Sequence, residues 1–266
     1  MSTTVTEHKT IKGVVDRAFD FNGLKKVAAL NSELAMWMRQ MATDKVFYRK
    51  WDFEGSALLD DFWTSAADAG ATEFGPPATQ LLGGVLQGAT GTTDNAGIGL
   101  YGTPILKGDN RAYLHTRFKL SAVTGFQMEV GFIDAITDAT TPVISDVDTP
   151  ANGSNGAAEI AVVHLDTDQT LTTAALVVDG STTGMNAAKT NLGTFTPTAA
   201  TYVDLKMVID GNDVTVVIDN KRSLRATKTF AIEGGTLVMP WLYFRTRNTT
   251  SKTVDIDLIE IMGERA

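Results

Sequence analysis

The chain has 266 residues, 43% of them hydrophobic, with no cysteine and 23 basic against 31 acidic residues, a net charge of −8. The missing cysteine excludes disulfides, thiolate zinc sites and cysteine nucleophiles, and the negative balance repels a phosphate backbone, so nucleic acid is not an expected partner. There is no apolar run of the ~18 residues that a spanning helix needs, and MSTTVTEHKT lacks the charged-then-apolar build of a secretory signal, so a folded, soluble protein is expected and no membrane partner.

Charge and turn residues divide the chain in two. Residues 1–50 hold nine Lys and Arg against five Asp and Glu, a net +4, while residues 51–266 hold 14 against 26, a net −12. Two glycines and no proline precede residue 51, and 22 glycines and seven prolines follow it. We therefore expect a docking segment over 1–50 and a second domain over 51–266.

Residues 1–13 are polar and rich in threonine, and read as an extended arm. From Asn22 the stretch NGLKKVAALNSELAMWMRQMATDK places Leu24, Val27, Leu30, Leu34, Trp37, Met38 and Met41 at steps of three and four, the stripe of one amphipathic helix. An isolated helix has to bury that stripe against its own body, another copy or a different protein. Methionines around Trp37 make an adaptable apolar surface, and the basic excess suits an acidic partner.

After residue 51 the pattern changes to short alternating runs separated by Gly, Asn, Asp and Pro, which predicts antiparallel sheets. RAYLHTRFKL sets Ala112, Leu114, Phe118 and Leu120 on a buried face against Arg111, Tyr113, His115, Arg117 and Lys119 on a solvated one. FQMEVGFI repeats the alternation with Phe126, Met128, Val130 and Phe132 inward. In YVDLKMVIDGNDVTVVIDN, Leu205, Met207 and Ile209 run into the turn Asp210–Asp213 and return through Val214, Val216 and Ile218, a hairpin. Further strands are expected at 81–87, 158–165, 173–178, 237–245 and 253–262. About ten to twelve strands in this length make a two-sheet sandwich.

Several of these stretches together resemble the concanavalin A-like lectin/glucanase jelly roll, which includes the laminin-G-like modules. DFEGSALLDDFWT (52–64) is similar to the opening of such domains and GGVLQGATG (83–91) to the strand that follows. Residues 202–223 are similar to the paired strands that carry "dG…v…vdg", and LVMPWLYFRTRNTTSKTVDIDLIEI (237–261) to the closing strands. The resemblance implies a mainly β, two-sheet antiparallel sandwich over nearly all of 51–266, preceded by the arm and the helix. It leaves function open, since lectins, glycosidases, lyases and viral structural modules share the fold.

TVDIDLIEIMG (253–263) carries Asp255, Asp257 and Glu260. Its apolar residues Val254, Ile256 and Leu258 change phase to Ile259 and Ile261, which predicts a β-bulge with all three acids on the polar face. The laminarinase-like branch of the family carries Glu-x-Asp-x-x-Glu on such a strand. Its match would make Asp255 the nucleophile, Asp257 its helper and Glu260 the acid/base. Asp255 is one methylene shorter than the family's Glu, and the triplet stands on the final strand instead of mid-chain, so a solvated strand face is the preferred reading and no catalytic residue is assigned.

SDVDTPANGSNGAAE (145–159) offers Asp146, Asp148, Asn152 and Glu159 as oxygen ligands for calcium, but Pro150 and the acid spacing break the helix-loop-helix pattern. An ordinary loop is expected, with no metal or cofactor. Trp63, Tyr101, Trp241 and Tyr243 are candidates for stacking on sugar. Trp63 is expected in the core, and PWLYF puts Trp241 and Tyr243 on one face with Leu242 and Phe244 on the other. GATGTTDNAGIG (88–99) lacks the lysine of a phosphate loop and reads as a connection.

This layout resembles tailed-bacteriophage virion proteins that decorate or cement the capsid. The resemblance implies a non-enzymatic protein on the capsid exterior, made in the host cytoplasm and docked by Leu30, Leu34, Trp37, Met38 and Met41. Its partners would be the major capsid protein or other virion subunits and further copies of itself. The alternatives are a glycan-binding module of a tail fibre or receptor-binding protein, and a laminarinase-like glycoside hydrolase acting through Asp255 and Glu260.

Overall fold

The period-two runs pair into two stacked antiparallel sheets. The computed structural model describes residues 46–53, 61–77, 84–108, 111–146, 151–152, 155–168, 174–180, 188–192, 195, 197–210, 213–221, 225–229 and 235–265. The expected arm and helix lie outside the described residues. In chain order the strands are β1 (Val46–Trp51), β2 (Trp63–Ala67), β3 (Thr72–Gly75), β4 (Leu86–Ala89), β5 (Gly97–Gly102) and β6 (Leu106–Lys107). Next come β7 (Tyr113–Leu120), β8 (Phe126–Ile133), β9 (Ile144–Asp146), β10 (Ala151–Asn152), β11 (Glu159–Asp166) and β12 (Ala175–Gly180). The last are β13 (Ala188–Asn191), β14 (Val203–Asp210), β15 (Asp213–Ile218), β16 (Arg225–Thr229), β17 (Leu237–Thr246) and β18 (Thr253–Glu264).

The first sheet runs β16-β15-β14-β7-β18-β4-β3, with β1 also paired to β18. The second runs β13-β12-β11-β8-β17-β5-β2, with β6 on β17, and β9 pairs separately with β10. Phe47–Ala266 form one compact unit. No helix among the described residues is long and apolar enough to cross a membrane.

Among the described residues 18 strands form, more than the ten to twelve expected; three of the additional ones, β6 and β10 with two residues and β9 with three, are too short for alternation to show. Of the strand expected at 81–87, residues 81–83 lie outside the described residues and 86–87 fall on β4, which begins at Leu86. Gly84 just before it has φ 67°, a left-handed backbone that interrupts extension. The hairpin forms as its sequence dictates: Leu205, Met207 and Ile209 stand opposite Ile218, Val216 and Val214, with Asp210 paired to Asp213.

The inward faces make the main core. Leu114, Phe118 and Leu120 of β7 join Phe126, Met128, Val130 and Phe132 of β8 in one buried cluster. Each such side chain contributes about 1.5–3 kcal/mol relative to its exposed state. Phe118 and Phe244 link the two sheets with ring centroids 5.5 Å apart. At one end Phe62 packs on Phe47 at 5.5 Å, Trp51 at 5.3 Å and Trp63 at 5.1 Å, seating β1 through its aromatic side chains.

The bulge in β18 is present and lies one residue earlier than the phase change suggested. The register against β7 shifts between Ile256 and Leu258, so Asp257 is the extra residue. Leu258 is therefore half-buried instead of inward, and Ile259 and Ile261 resume the core face.

The outer face of the second sheet departs from the expected polar alternation. All eight residues of β8 and of β11 are buried. Val143, Ile144 and Ala157, with Ile136 and Ala139 beside them, lie on Ile133, Ile160, Val162, Met239, Trp241 and Tyr243, forming a second apolar cluster. A segment that crosses over a sheet buries its second face, and alternation within one strand cannot report this. Glycines make the close approach workable: a Cβ at Gly99 would stand 2.3 Å from the Ala139 carbonyl oxygen, and one at Gly97 would stand 2.4 Å from the Tyr243 hydroxyl.

Candidate functional site

The three acids of β18 share the outer face of the first sheet, as expected, and each meets a basic side chain of β7. Asp255 lies opposite Lys119 and Glu260 opposite His115 in the ladder, while Asp257 bulges beside Arg117. Lys119 Nζ is 3.0 Å from Asp255 Oδ2, and the Gln87 amide donates to Asp255 Oδ1 at 2.7 Å. Arg117 Nη1 is 3.1 Å from Asp257 Oδ2. His115 Nδ1 is 3.3 Å from Glu260 Oε2, and its Nε2 is 2.9 Å from Asp204 Oδ1 on β14. The Tyr48 hydroxyl of β1 donates to Glu260 Oε1 at 2.9 Å. The Arg117 guanidinium and the Lys119 ammonium also sit over the Tyr202 ring at 4.7 and 5.0 Å.

These contacts set the electrostatics. The hydrogen bond from His115, aided by Tyr48, holds the Glu260 carboxyl below its ordinary range against the opposing effect of burial. Burial and then the Glu260 bond push the Tyr48 hydroxyl up to about 12. Asp255 raises the Lys119 ammonium, chiefly through their hydrogen bond. A glycosidase proton donor needs a carboxyl held above its ordinary range, and Glu260 is displaced the other way. Asp255, 6% exposed, is engaged by Lys119 and Gln87.

On the outer face of the second sheet, sequence reasoning missed a buried polar cluster centred on Glu129. In register, Glu129 stands between His164 of β11 and Tyr243 of β17. Its carboxylate accepts the Val143 and Ile144 backbone N–H groups at 2.8 and 2.7 Å and the Trp241 indole N–H at 3.0 Å. His164 Nδ1 is 3.4 Å away, and His164 Nε2 has no hydrogen-bond partner among the described residues. One residue pair along, Gln127 donates to the Ile144 carbonyl at 3.0 Å and accepts from Arg245. The Tyr243 hydroxyl donates to the Thr140 carbonyl at 2.9 Å, and burial raises its pKa. The cluster thus fastens residues 139–144 over the sheet. One signal was legible: IAVV in β11 is apolar on both faces, the mark of a strand covered on both sides.

The remaining candidates do not converge. Trp63 is in the main core, and Trp241 and Tyr243 stack at 5.6 Å beneath the covering segment with Tyr101 beside them. Asp148 lies outside the described residues, Asp146 and Asn152 fall on β9 and β10, and Glu159 is buried in β11, accepting from Thr236 at 3.3 Å. Among the described residues no group of three or more His, Asp or Glu is placed to hold a metal ion. The docking candidates Leu30, Leu34, Trp37, Met38 and Met41 lie outside the described residues.

No protein-family model and no curated protein matches the chain. Solved structures do match. A protein of unknown function, SO2946, from Shewanella oneidensis MR-1 is similar with a TM-score of 0.55 and 14% identity, covering 88% of this chain and 95% of that one. The VIP36 exoplasmic/lumenal domain, solved with Ca2+ and Man3GlcNAc, gives 0.53 and 8%, covering 81% and 88%. The β-glucanase of Bacillus licheniformis gives 0.51 and 13%, covering 84% and 100%. At these identities the likeness concerns the fold: a concanavalin A-like jelly-roll sandwich of the lectin and glucanase type.

Proposed function

We propose that this chain is a non-enzymatic structural protein of a tailed-bacteriophage virion, a capsid decoration or cement protein that docks through the part of residues 1–50 that precedes β1 and displays the sandwich. The observation that carries this reading is that the chain's own groups occupy both sheet faces. The acids of the first are tied to Lys119, Arg117 and His115, and the second lies under residues 136–144. A domain built this way offers a durable surface instead of an open pair of carboxylates. The basic, amphipathic first 50 residues supply an attachment of the opposite charge to the body.

The mechanism on this reading is mechanical. Area buried at subunit junctions resists the expansion pressure of packaged DNA, and an arm reaching a second neighbour adds avidity. The partners are the major capsid protein or other virion subunits and further copies of this chain, on the capsid exterior. Replacing Trp37 and Met41 together by Asp tests the docking stripe. Loss of particle binding with an unchanged sandwich supports it, and undiminished binding removes it.

A second reading, a glycan-binding module, is favoured by the similarity to the VIP36 domain solved with Man3GlcNAc. Retention on a host-polysaccharide column, with normal particle binding absent, would put it first.

A further inference from the structure

The geometry of the first sheet's outer face points to a device that the virion reading does not require: we propose that Tyr48, Glu260, His115 and Asp204 form a proton-operated latch that holds β1 on the sheet while His115 is an imidazolium and loosens it when the ring is neutral. The two ring nitrogens face carboxylate oxygens of different strands, Glu260 on β18 at 3.3 Å and Asp204 on β14 at 2.9 Å. An ionised carboxylate only accepts hydrogen bonds, and a neutral imidazole has one N–H to give. Both contacts are hydrogen bonds together only in the doubly protonated ring. After loss of a proton, one nitrogen lone pair confronts a carboxylate oxygen at hydrogen-bond distance, and one of the two contacts becomes repulsive.

The consequence reaches β1 through Glu260. Its two oxygens divide the work, Oε2 to His115 and Oε1 to the Tyr48 hydroxyl, so a carboxylate released by His115 no longer has a fixed orientation toward Tyr48. Tyr48 is 48% exposed and points away from the aromatic seat of Phe47 and Trp51, so this hydrogen bond is a polar tie of β1 on the solvent side, beside its pairing with β18.

The groups around the ring do not substitute for its proton. On β14, Lys206 stands opposite His115 but donates to Asn220 at 2.9 Å and is 4.0 Å from Asp204. Asp204's backbone N–H is held by Asp219, which also pairs with Lys221. On β7, Arg117 is engaged by Asp257, and the Tyr113 ring lies 6.5 Å from the imidazole. From β1, the Lys50 charge also acts on Glu260.

Amide hydrogen exchange on the full chain, with intrinsic rates divided out, tests the latch at about pH 5 and about pH 8, the range across which histidine changes charge. Protection of Val46–Trp51 is expected to fall about tenfold between the two, while β8 keeps its protection, because a charge-assisted hydrogen bond is lost. In His115→Gln, which cannot change charge, β1 shows the same protection at both pH values. In Tyr48→Phe, protection at the lower pH drops to the level the unmodified protein has at the higher one. Equal β1 protection at both pH values in the unmodified protein, or a pH response that survives either substitution, overturns the proposal.

Discussion

The Trp241 indole donates to Glu129 at 3.0 Å, and that same carboxylate takes two backbone N–H groups from Val143 and Ile144. One buried side chain therefore joins β8, β17 and the covering segment. Glu129→Ala strands three donors and leaves a void, so it is expected to lower unfolding stability by about 3–5 kcal/mol in chemical denaturation. Glu129→Gln keeps one acceptor oxygen and should lose less. Equal stability in all three proteins would mean that the segment is not clipped through this residue.

The close seat of the covering segment on β5 makes a second expectation. A methyl group at Gly99 would stand 2.3 Å from the Ala139 carbonyl oxygen, a backbone atom that cannot swing aside. Gly99→Ala should cost about 1–3 kcal/mol and shift the exchange protection of residues 139–144 more than that of the first sheet. Gly75→Ala, where the space is open, serves as the control.

The acid ladder predicts a coupling energy. Lys119 and Asp255, with side chains 28% and 8% exposed, form a less solvent-exposed pair than Arg117 and Asp257, at 47% and 27%. A double-mutant cycle with Lys119→Met and Asp255→Asn should give about 1 kcal/mol of interaction, falling with added salt. No measurable coupling would reduce the pair to two independent surface charges.

Much of the fold was legible because the strands that matter most are long and half-buried. β7, β14 and β15 alternate cleanly, and their inward residues are those of the core. The shift from Ile256 to Ile259 gave away the bulge, although its position could not be read to the residue, since Leu258 is apolar and still turns outward. Apart from the two-faced apolar run of β11, the Glu129 cluster was not legible: Gln127 and Glu129 look like the wet side of a strand, and a segment downstream makes that side dry. The pairing of the three acids follows from register between β18 and β7, strands more than 130 residues apart, which no local pattern encodes.

Acid titration offers a further check on Glu260. Its folded carboxyl titrates below the ordinary value of 4.5, so it contributes stability that is present above that value and lost as pH falls through the lowered folded value. The advantage of the unmodified protein over Glu260→Gln in melting temperature should therefore shrink between about pH 5 and about pH 3. A gap that widens toward acid would show that the carboxyl is raised, as a proton donor's is, and would return the hydrolase reading to consideration. In that event an assay for release of reducing sugar, with Glu260→Gln as control, becomes the next step.

Electron cryo-microscopy of assembled phage particles tests the central claim most directly, by locating this chain and tracing residues 1–50. The account predicts density for the sandwich on the capsid exterior, with the stripe of Leu30, Leu34, Trp37, Met38 and Met41 buried between capsid subunits. Density on the tail instead, or particles that lack the chain, would contradict it.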